Sequence, residues 1–492
     1  MTAGDAGSSG DTVTSPDADA PRDPTVPPDP DPPRVPREGG TGALVGGSAL
    51  VAIAALLLSH LLTPRGTVEN DVHYYQQWAE WITRNGLSGA MREYPTPVAL
   101  LLWLPSLVAT TADSYFRLFV ALGVVIATAT TWTLLALPHR RAGARAAVVF
   151  LLGLGALGPI TFYRFDLLPG ALLALACVLL ARGRSGWSVA VALGTGVKLW
   201  PVIAWPLVLG RRSTRRREVV GFTATGLALV VVSVAVAGWD RLLSPLGWQS
   251  GRGLQVETVL ASWILLARTV SPSTWTAQLS DANSWDFSGP GVTATLALGS
   301  LAQVGLVAWV VTATWRMWRT RRADPAPVSL CAASLVGVLL ATDKVFSPQY
   351  VMWWVPVSAV AIALGGRRLP QWWAPALVVT AFLTQLSYPT TYGWLYSGST
   401  GWTFLLGTVV MISRNVLVVV LAVSMCRAAW RATTVPSADE GGAALVDPGP
   451  TATPPAGDAP AHDVPERDVP VGATPGRDLP AQHAPTQPED HT

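Results

Sequence analysis

ALVGGSALVAIAALLLSHLL at residues 43–62, followed at 67–97 by TVENDVHYYQQWAEWITRNGLSGAMREYPTP, decides the fold of this chain. The first stretch has no Asp, Glu, Lys or Arg and has the length of an apolar helix that crosses a bilayer. The second is polar and carries Glu69, Asp71, Glu80 and Glu93. A carboxylate at the mouth of a membrane span is costly unless a partner or a reaction uses it. Asp71 is therefore the first candidate for a catalytic base at a membrane surface, and Glu93 the second.

The pattern of the opening run returns along the chain. Phe116–Leu137, Phe222–Ala237 and Thr403–Met425 have span length or close to it, and of 492 residues 50% are apolar and 13% charged. These runs give an all-α polytopic membrane protein, a bundle of about 11–13 transmembrane helices. Two segments resist simple counting. Val98–Thr110 is short and contains Pro105, so it reads as re-entrant or interfacial. Trp187–Gly210 has the length of one span but basic clusters at both ends, which suggests a broken helical hairpin. The first apolar run begins after about 40 polar residues, unlike a cleaved signal peptide.

Residues 1–41 and 432–492 are rich in Pro, Asp, Ala, Thr and Gly and lack apolar periodicity, the composition of disordered tails. The first tail holds three Arg against eight acids and the second two against ten, which leaves 29 basic and 13 acidic residues between 42 and 431. A near-neutral chain thus hides a basic membrane domain. Its arginines cluster at 138–145, 181–184, 211–217, 315–322, 365–368 and 426–431, which the positive-inside rule places in the cytoplasm, together with both tails. Nearly all core acids lie between those clusters, so the loops 63–94, 239–290 and 388–402 read as extracytoplasmic. Arg65, Arg84 and Arg241 in these loops weaken the sorting without reversing it.

Cys177, Cys331 and Cys426 sit in or at the end of apolar runs, and the six His have no zinc spacing. No Walker, dinucleotide or nucleic-acid motif is present. The sequence therefore calls for no metal, cofactor or nucleic acid, and for membrane lipid as its surroundings.

Only two lysines accompany 32 arginines: Lys198 in GTGVKLWP and Lys344 in ATDKVFSPQY, both within apolar sequence. Such a lysine snorkels to the interface or faces a polar cavity. Three more polar clusters fall on the expected outer side. TFYRFDLLPG carries Arg164 and Asp166, WQSGRGLQVETVLASW carries Arg252, Gln255 and Glu257, and DKVFSPQYVMWWVP carries Asp343, Lys344, Ser347, Gln349 and Tyr350. Singly each is explained by loop polarity or helix capping; four on one side describe a cavity. Cations suit the phosphate of an activated donor, on which negative charge builds as it leaves. A carboxylate or His suits the proton of an attacking hydroxyl, and aromatics suit sugar rings. Asp71, His73 or Glu93 would supply the base, and Arg164, Lys198, Arg252 and Lys344 the phosphate contacts. Tyr74, Tyr75, Asp166, Gln255, Glu257, Gln349 and Tyr350 would hold sugar or acceptor. Tyr74, Tyr75, Trp78 and Trp81 equally suit an interfacial aromatic belt.

The ordered set Asp71 in ENDVHYYQQWA, EYP at 93–95, RFDLLP at 164–169, GVKLWPVIAWP at 196–206, RGLQVET at 252–258 and KVFSPQY at 344–350 resembles the GT-C superfamily of glycosyltransferases. It is most similar to the actinobacterial mannosyltransferases of glycosyltransferase family 87. The resemblance covers about residues 43–430 and excludes both tails. It implies a GT-C-type bundle and an inverting single displacement at the outer face, with Asp71 as the acceptor-activating base. The implied donor is a polyprenyl-phosphate-linked sugar such as decaprenyl-phosphate-mannose, and the acceptor an envelope glycolipid or polysaccharide. Two features depart from the pattern: Tyr94-Pro95-Thr96-Pro97 replaces a doubled proline, and no His lies between 140 and 461, which leaves His73 as the only local partner for Asp71. A flippase for the same lipid, or a non-catalytic envelope assembly protein using its tails, is the alternative; the chain lacks the repeated half expected of the former.

Overall fold

The computed structural model describes residues 39–62, 68–211, 213–281, 283–320, 323–366, 369–396 and 401–433. Both tails beyond those limits, and the beginning of the first outer loop with Arg65, lie outside the described residues. The chain opens with helices α1 (Gly39–Leu62), α2 (Asn70–Asn85), α3 (Thr96–Trp103), α4 (Ala112–Leu135), α5 (Arg140–Leu157) and α6 (Ile160–Tyr163). There follow α7 (Leu167–Ala181), α8 (Trp187–Val197), α9 (Trp205–Val208), α10 (Arg215–Ala237), α11 (Trp239–Ser250) and α12 (Ser262–Arg268). The last third holds α13 (Val292–Thr320), α14 (Pro325–Thr342), α15 (Val351–Gly365), α16 (Trp373–Gln385), α17 (Gly393–Tyr396) and α18 (Trp402–Ala432).

Local chemistry sets many of these boundaries. Thr111 and Ser114 form a reciprocal capping box that opens α4. Pro97 and Pro325 occupy first-turn positions of α3 and α14, where a missing N–H costs nothing. Gly158 and Gly238, at φ 74° and 82°, end α5 and α10 in a backbone conformation that side chains disfavour.

Six of the helices, α1, α4, α10, α13, α14 and α18, are long and apolar enough to cross a membrane. Large apolar side chains such as Leu50, Leu57, Leu227, Val231, Leu298 and Leu301 stand exposed along α1, α10 and α13. Faces of that extent fit lipid rather than water. The protein is an all-helical polytopic membrane protein, as its apolar runs indicate. Its buried centre is α14 with α15, which is buried from Val351 to Ala363 and packs against α5, α7 and α14. The inner helices are short: α7 and α15 have 15 residues each and α8 only 11.

Both ambiguous segments resolve into interrupted helices. Val98–Thr110 becomes the eight-residue α3 and a 3-10 turn at Leu104–Leu107, too short together to span a bilayer. In Trp187–Gly210, α8 stops at Val197, Lys198 is extended, and Pro201 lies in a following 3-10 turn. The polar segment after α1 is largely a helix: α2 buries Val72, Tyr75, Ala79 and Ile82, a stripe at helical spacing.

The segment between α11 and α13 also carries a small antiparallel sheet, β1 (Leu254–Gln255), β2 (Thr276–Leu279) and β3 (Trp285–Ser288), in the order β1-β3-β2. Leu254 pairs with Phe287, and Leu279 with Trp285. Leu254, Val256, Ile264, Leu265, Phe287, Leu395, Phe404 and Met411 form a second core that joins this sheet to α12, α17 and α18.

Close approach of α7 to α15 depends on Gly170. A Cβ there would lie 2.7 Å from the carbonyl oxygen of Met352 and 2.8 Å from the Cα of Trp353, backbone atoms that cannot swing aside. Gly170→Val should push the two helices apart and destabilise the protein by about 2 kcal/mol or more; a fall of several degrees in apparent melting temperature in detergent is the expected reading, and an unchanged value contradicts this packing.

Candidate active site

The RFDLLP segment supplies the hub of the site. Arg164 is extended after α6, and Asp166 stands at the N-terminal end of α7, so the two side chains leave a non-helical linker in different directions. Arg164 Nε meets Asp71 Oδ2 at 2.6 Å; the Arg164 side chain is 6% exposed and that of Asp71 37%. Arg164 also donates to the carbonyl oxygens of Val68 and Tyr163 at 3.3 and 3.2 Å, which fixes it at the start of α2. Burial raises the pKa of Asp71 above its ordinary 3.8, with Arg164 and Lys198 opposing and Asp166 adding to the rise.

Asp166 Oδ1 accepts from Lys198 Nζ at 2.5 Å and from the Trp353 indole at 2.9 Å. The break after α8 gives Lys198 this direction, since its backbone leaves the helix at φ −146° and ψ 141°. Its ammonium lies 4.7 Å from the Tyr350 ring centre, 5.0 Å from Trp353 and 5.2 Å from Phe165. Tyr350 stacks on Trp353 at 3.9 Å. Lysine in an apolar run is here a cation in an aromatic box, paired with a buried carboxylate.

Tyr350, which lies near the Lys198 ammonium and stacks on Trp353, belongs to the segment that also carries Asp343 and Lys344, and so links this pair to the third cluster. Arg252 has a buried Nε without a hydrogen-bond partner, and Lys344 Nζ donates to the Ser250 carbonyl at 3.2 Å. Gln349 is half-buried on the 3-10 turn that begins α15.

Gln255 and Glu257 form the fourth cluster. Gln255 Nε2 donates to Glu257 Oε2 at 2.6 Å, and Gln255 Oε1 accepts from the Phe346 amide at 2.9 Å. Glu257 is 2% exposed and its Oε1 has no partner. Burial pushes its pKa up to about 8, against the nearby Arg414 and the Gln255 bond. Arg414 on α18 donates to the Glu257 backbone oxygen and lies 4.1 Å from the Phe346 ring centre. Asn415 donates to the Thr258 carbonyl at 3.1 Å. Neither Arg414 nor Asn415 was among the sequence candidates, although an Arg-Asn pair inside an apolar run is itself the signal for a polar interior.

Residues near Asp71 divide by helical face. Tyr75, one turn on, is buried and packs on Phe119 and Phe165 with ring centres at 5.4 and 5.9 Å. Tyr74 donates to Glu93 Oε1 at 2.5 Å, so Glu93 is engaged by a phenol. His73 is exposed and stacks on Phe116 at 6.3 Å; two residues along a helix turn it away from Asp71, and the structure does not bring the two together. Asp71 is therefore paired with Arg164 and not with His73.

Short inner helices within a perimeter of long apolar ones, with paired carboxylates and cations between them, define an integral-membrane protein with a polar interior. The family model of glycosyltransferase family 87 matches residues 93–348, just over half of the chain, and the protein belongs to that family. The match contains Glu93, Arg164, Asp166, Lys198, Arg252, Gln255, Glu257 and Lys344; Asp71, His73, Tyr74 and Tyr75 precede it, and Gln349 and Tyr350 follow it. No curated protein and no solved structure matches the chain.

Removing Lys198 leaves a buried carboxylate unpaired. Lys198→Met should cost roughly 3–5 kcal/mol of stability, and adding Asp166→Asn should return part of it; melting temperatures of the single and double variants decide, with additive losses arguing against a coupled pair.

Proposed function

We propose that this protein transfers a hexose, mannose foremost, from a polyprenyl-phosphate-linked sugar to a hydroxyl of an envelope glycolipid or polysaccharide. The reaction takes place at the extracytoplasmic face and inverts the anomeric centre. One observation carries the reading: the Asp71–Arg164 pair stands within electrostatic reach of the Asp166–Lys198 pair, so base and cations share one polar centre. Family membership supports glycosyl transfer, and the sorting of arginines and acids along the sequence supports the outer face.

In a single displacement the acceptor oxygen attacks C1 of the sugar as the bond from C1 to the phosphate oxygen breaks. The phosphate leaves with the electron pair, and the hydroxyl proton passes to Asp71. Arg164 aligns the Asp71 carboxylate, while the unmatched Nε of Arg252, with Lys344, offers hydrogen bonds to the leaving phosphate. Lys198 contributes charge through its pair with Asp166. Gln255, Glu257, Gln349 and Tyr350 would contact sugar or acceptor hydroxyls. Both tails would lie in the cytoplasm.

Asp71→Asn keeps the shape and removes the base. Transfer of labelled mannose from polyprenyl-phosphate-mannose should fall by about 10²–10⁴-fold in membranes that hold the variant at wild-type abundance; a near wild-type rate would remove Asp71 from the chemistry. The base works deprotonated, so kcat/KM should drop as pH falls through a pKa lying above the ordinary 3.8. In Asp71→Asn that acidic limb should vanish from whatever residual rate remains.

A further inference from the structure

Four aromatic rings outside the site assigned above run in series from the outer sheet toward Asp71. Trp285 of β3 stacks on Tyr396 of α17 at 4.0 Å and 13°. Tyr396 meets Tyr392 edge-on at 5.2 Å, and Tyr392 meets Tyr388 edge-on at 5.4 Å. All four are half-buried, so each is held by the protein yet keeps part of its surface accessible. The inner end is located by packing. Tyr388 packs against the core that contains Tyr163 and Phe165, the neighbours of Arg164, and Gln385, three residues before it, lies against Gly158 just ahead of α6.

We propose that Trp285, Tyr396, Tyr392 and Tyr388 form a track that seats the successive sugar units of a glycan acceptor, with the reacting hydroxyl delivered to Asp71. The inference rests on the glycosyltransferase reading above and specifies its acceptor as one of several sugar units. The chemistry of the track fits carbohydrate. Sugar rings present C–H faces that pack on aromatic surfaces and rims of hydroxyls that need hydrogen bonds. The three phenols supply donors and acceptors beside the ring surfaces. Glu257 Oε1, buried and without a partner, is a further polar atom beside the strand that carries Trp285, of the kind that a ligand hydroxyl would satisfy. A lipid-facing belt accounts for none of this, because belt aromatics need neither a buried carboxyl nor a line leading to a base. The second core beneath the sheet gives the outer rings a rigid support through Phe287 and Leu395.

The test uses the full chain in nanodiscs, polyprenyl-phosphate-[14C]mannose, and octyl α-mannosides of one and of four sugar units. Wild-type protein should prefer the four-unit acceptor in kcat/KM by about tenfold, the advantage residing in KM. Trp285→Ala and Tyr396→Ala should bring that ratio close to one, and Trp285→Phe should retain most of it, which separates lost stacking from a collapsed sheet. A ratio unchanged in both alanine variants, or equal losses with short and long acceptors, overturns the track. Equal use of both acceptors by the wild type likewise overturns it while leaving the transferase reading intact. No transfer by the wild type to either acceptor overturns the transferase reading itself, and the track with it.

Discussion

The ion pair between Asp166 and Lys198 organises the centre of this protein. Two charges in a mostly apolar interior are tolerable only if they meet. Here the partners come from the start of α7 and the end of α8, and the Trp353 indole adds α15 to the same oxygen. Three helices are thereby fixed at one level. Asp166 can stand there because the RFD linker is not helical, and the neighbouring Arg164 then turns to α2 and takes Asp71. Placement of the proposed base thus depends on a contact in which it takes no part.

The outer part of the molecule rests on different physics. A separate apolar core carries the sheet, α12 and α17 against α18, and Arg414 and Asn415 tie the backbone around Glu257 to that long helix. Gln255 closes the link by accepting from the Phe346 amide, so the loop before α15 and the strand before α12 move as one. The polar residues thus have two separate supports, one in the inner helices and one around the small sheet.

Much of this was legible in the sequence because charges within apolar sequence stand out. Asp71, Arg164, Asp166, Lys198, Arg252 and Glu257 announce themselves in that way, and the long apolar runs announce the membrane. Pairing was not legible: nothing local joins Asp71 to Arg164, since the contact arises from how α2 packs over the RFD linker. His73 was a candidate through its nearness to Asp71 in sequence, and the helical turn of α2 separates them. Arg414 lay within a run read only for its length, Thr403–Met425, although its charge carried the same message as that of Lys198. The small sheet escaped because strands of two to four residues leave too little alternation to read. Nothing in the sequence singles out Tyr388, Tyr392 and Tyr396, and their alignment comes only from the turn that joins α16 to α17.

The shortness of the inner helices has a consequence for how the protein lives in its bilayer. An apolar helix of 15 residues is about 22 Å long, less than the hydrocarbon thickness it would have to match. α7 and α15 escape that requirement because protein, not lipid, surrounds them. Matching bilayer thickness falls to the exposed perimeter of α1, α4, α10 and α13. Thinning or thickening of the lipid would be absorbed there by tilt. The paired charges, anchored to short helices enclosed by protein, are insulated from the mechanical state of the membrane.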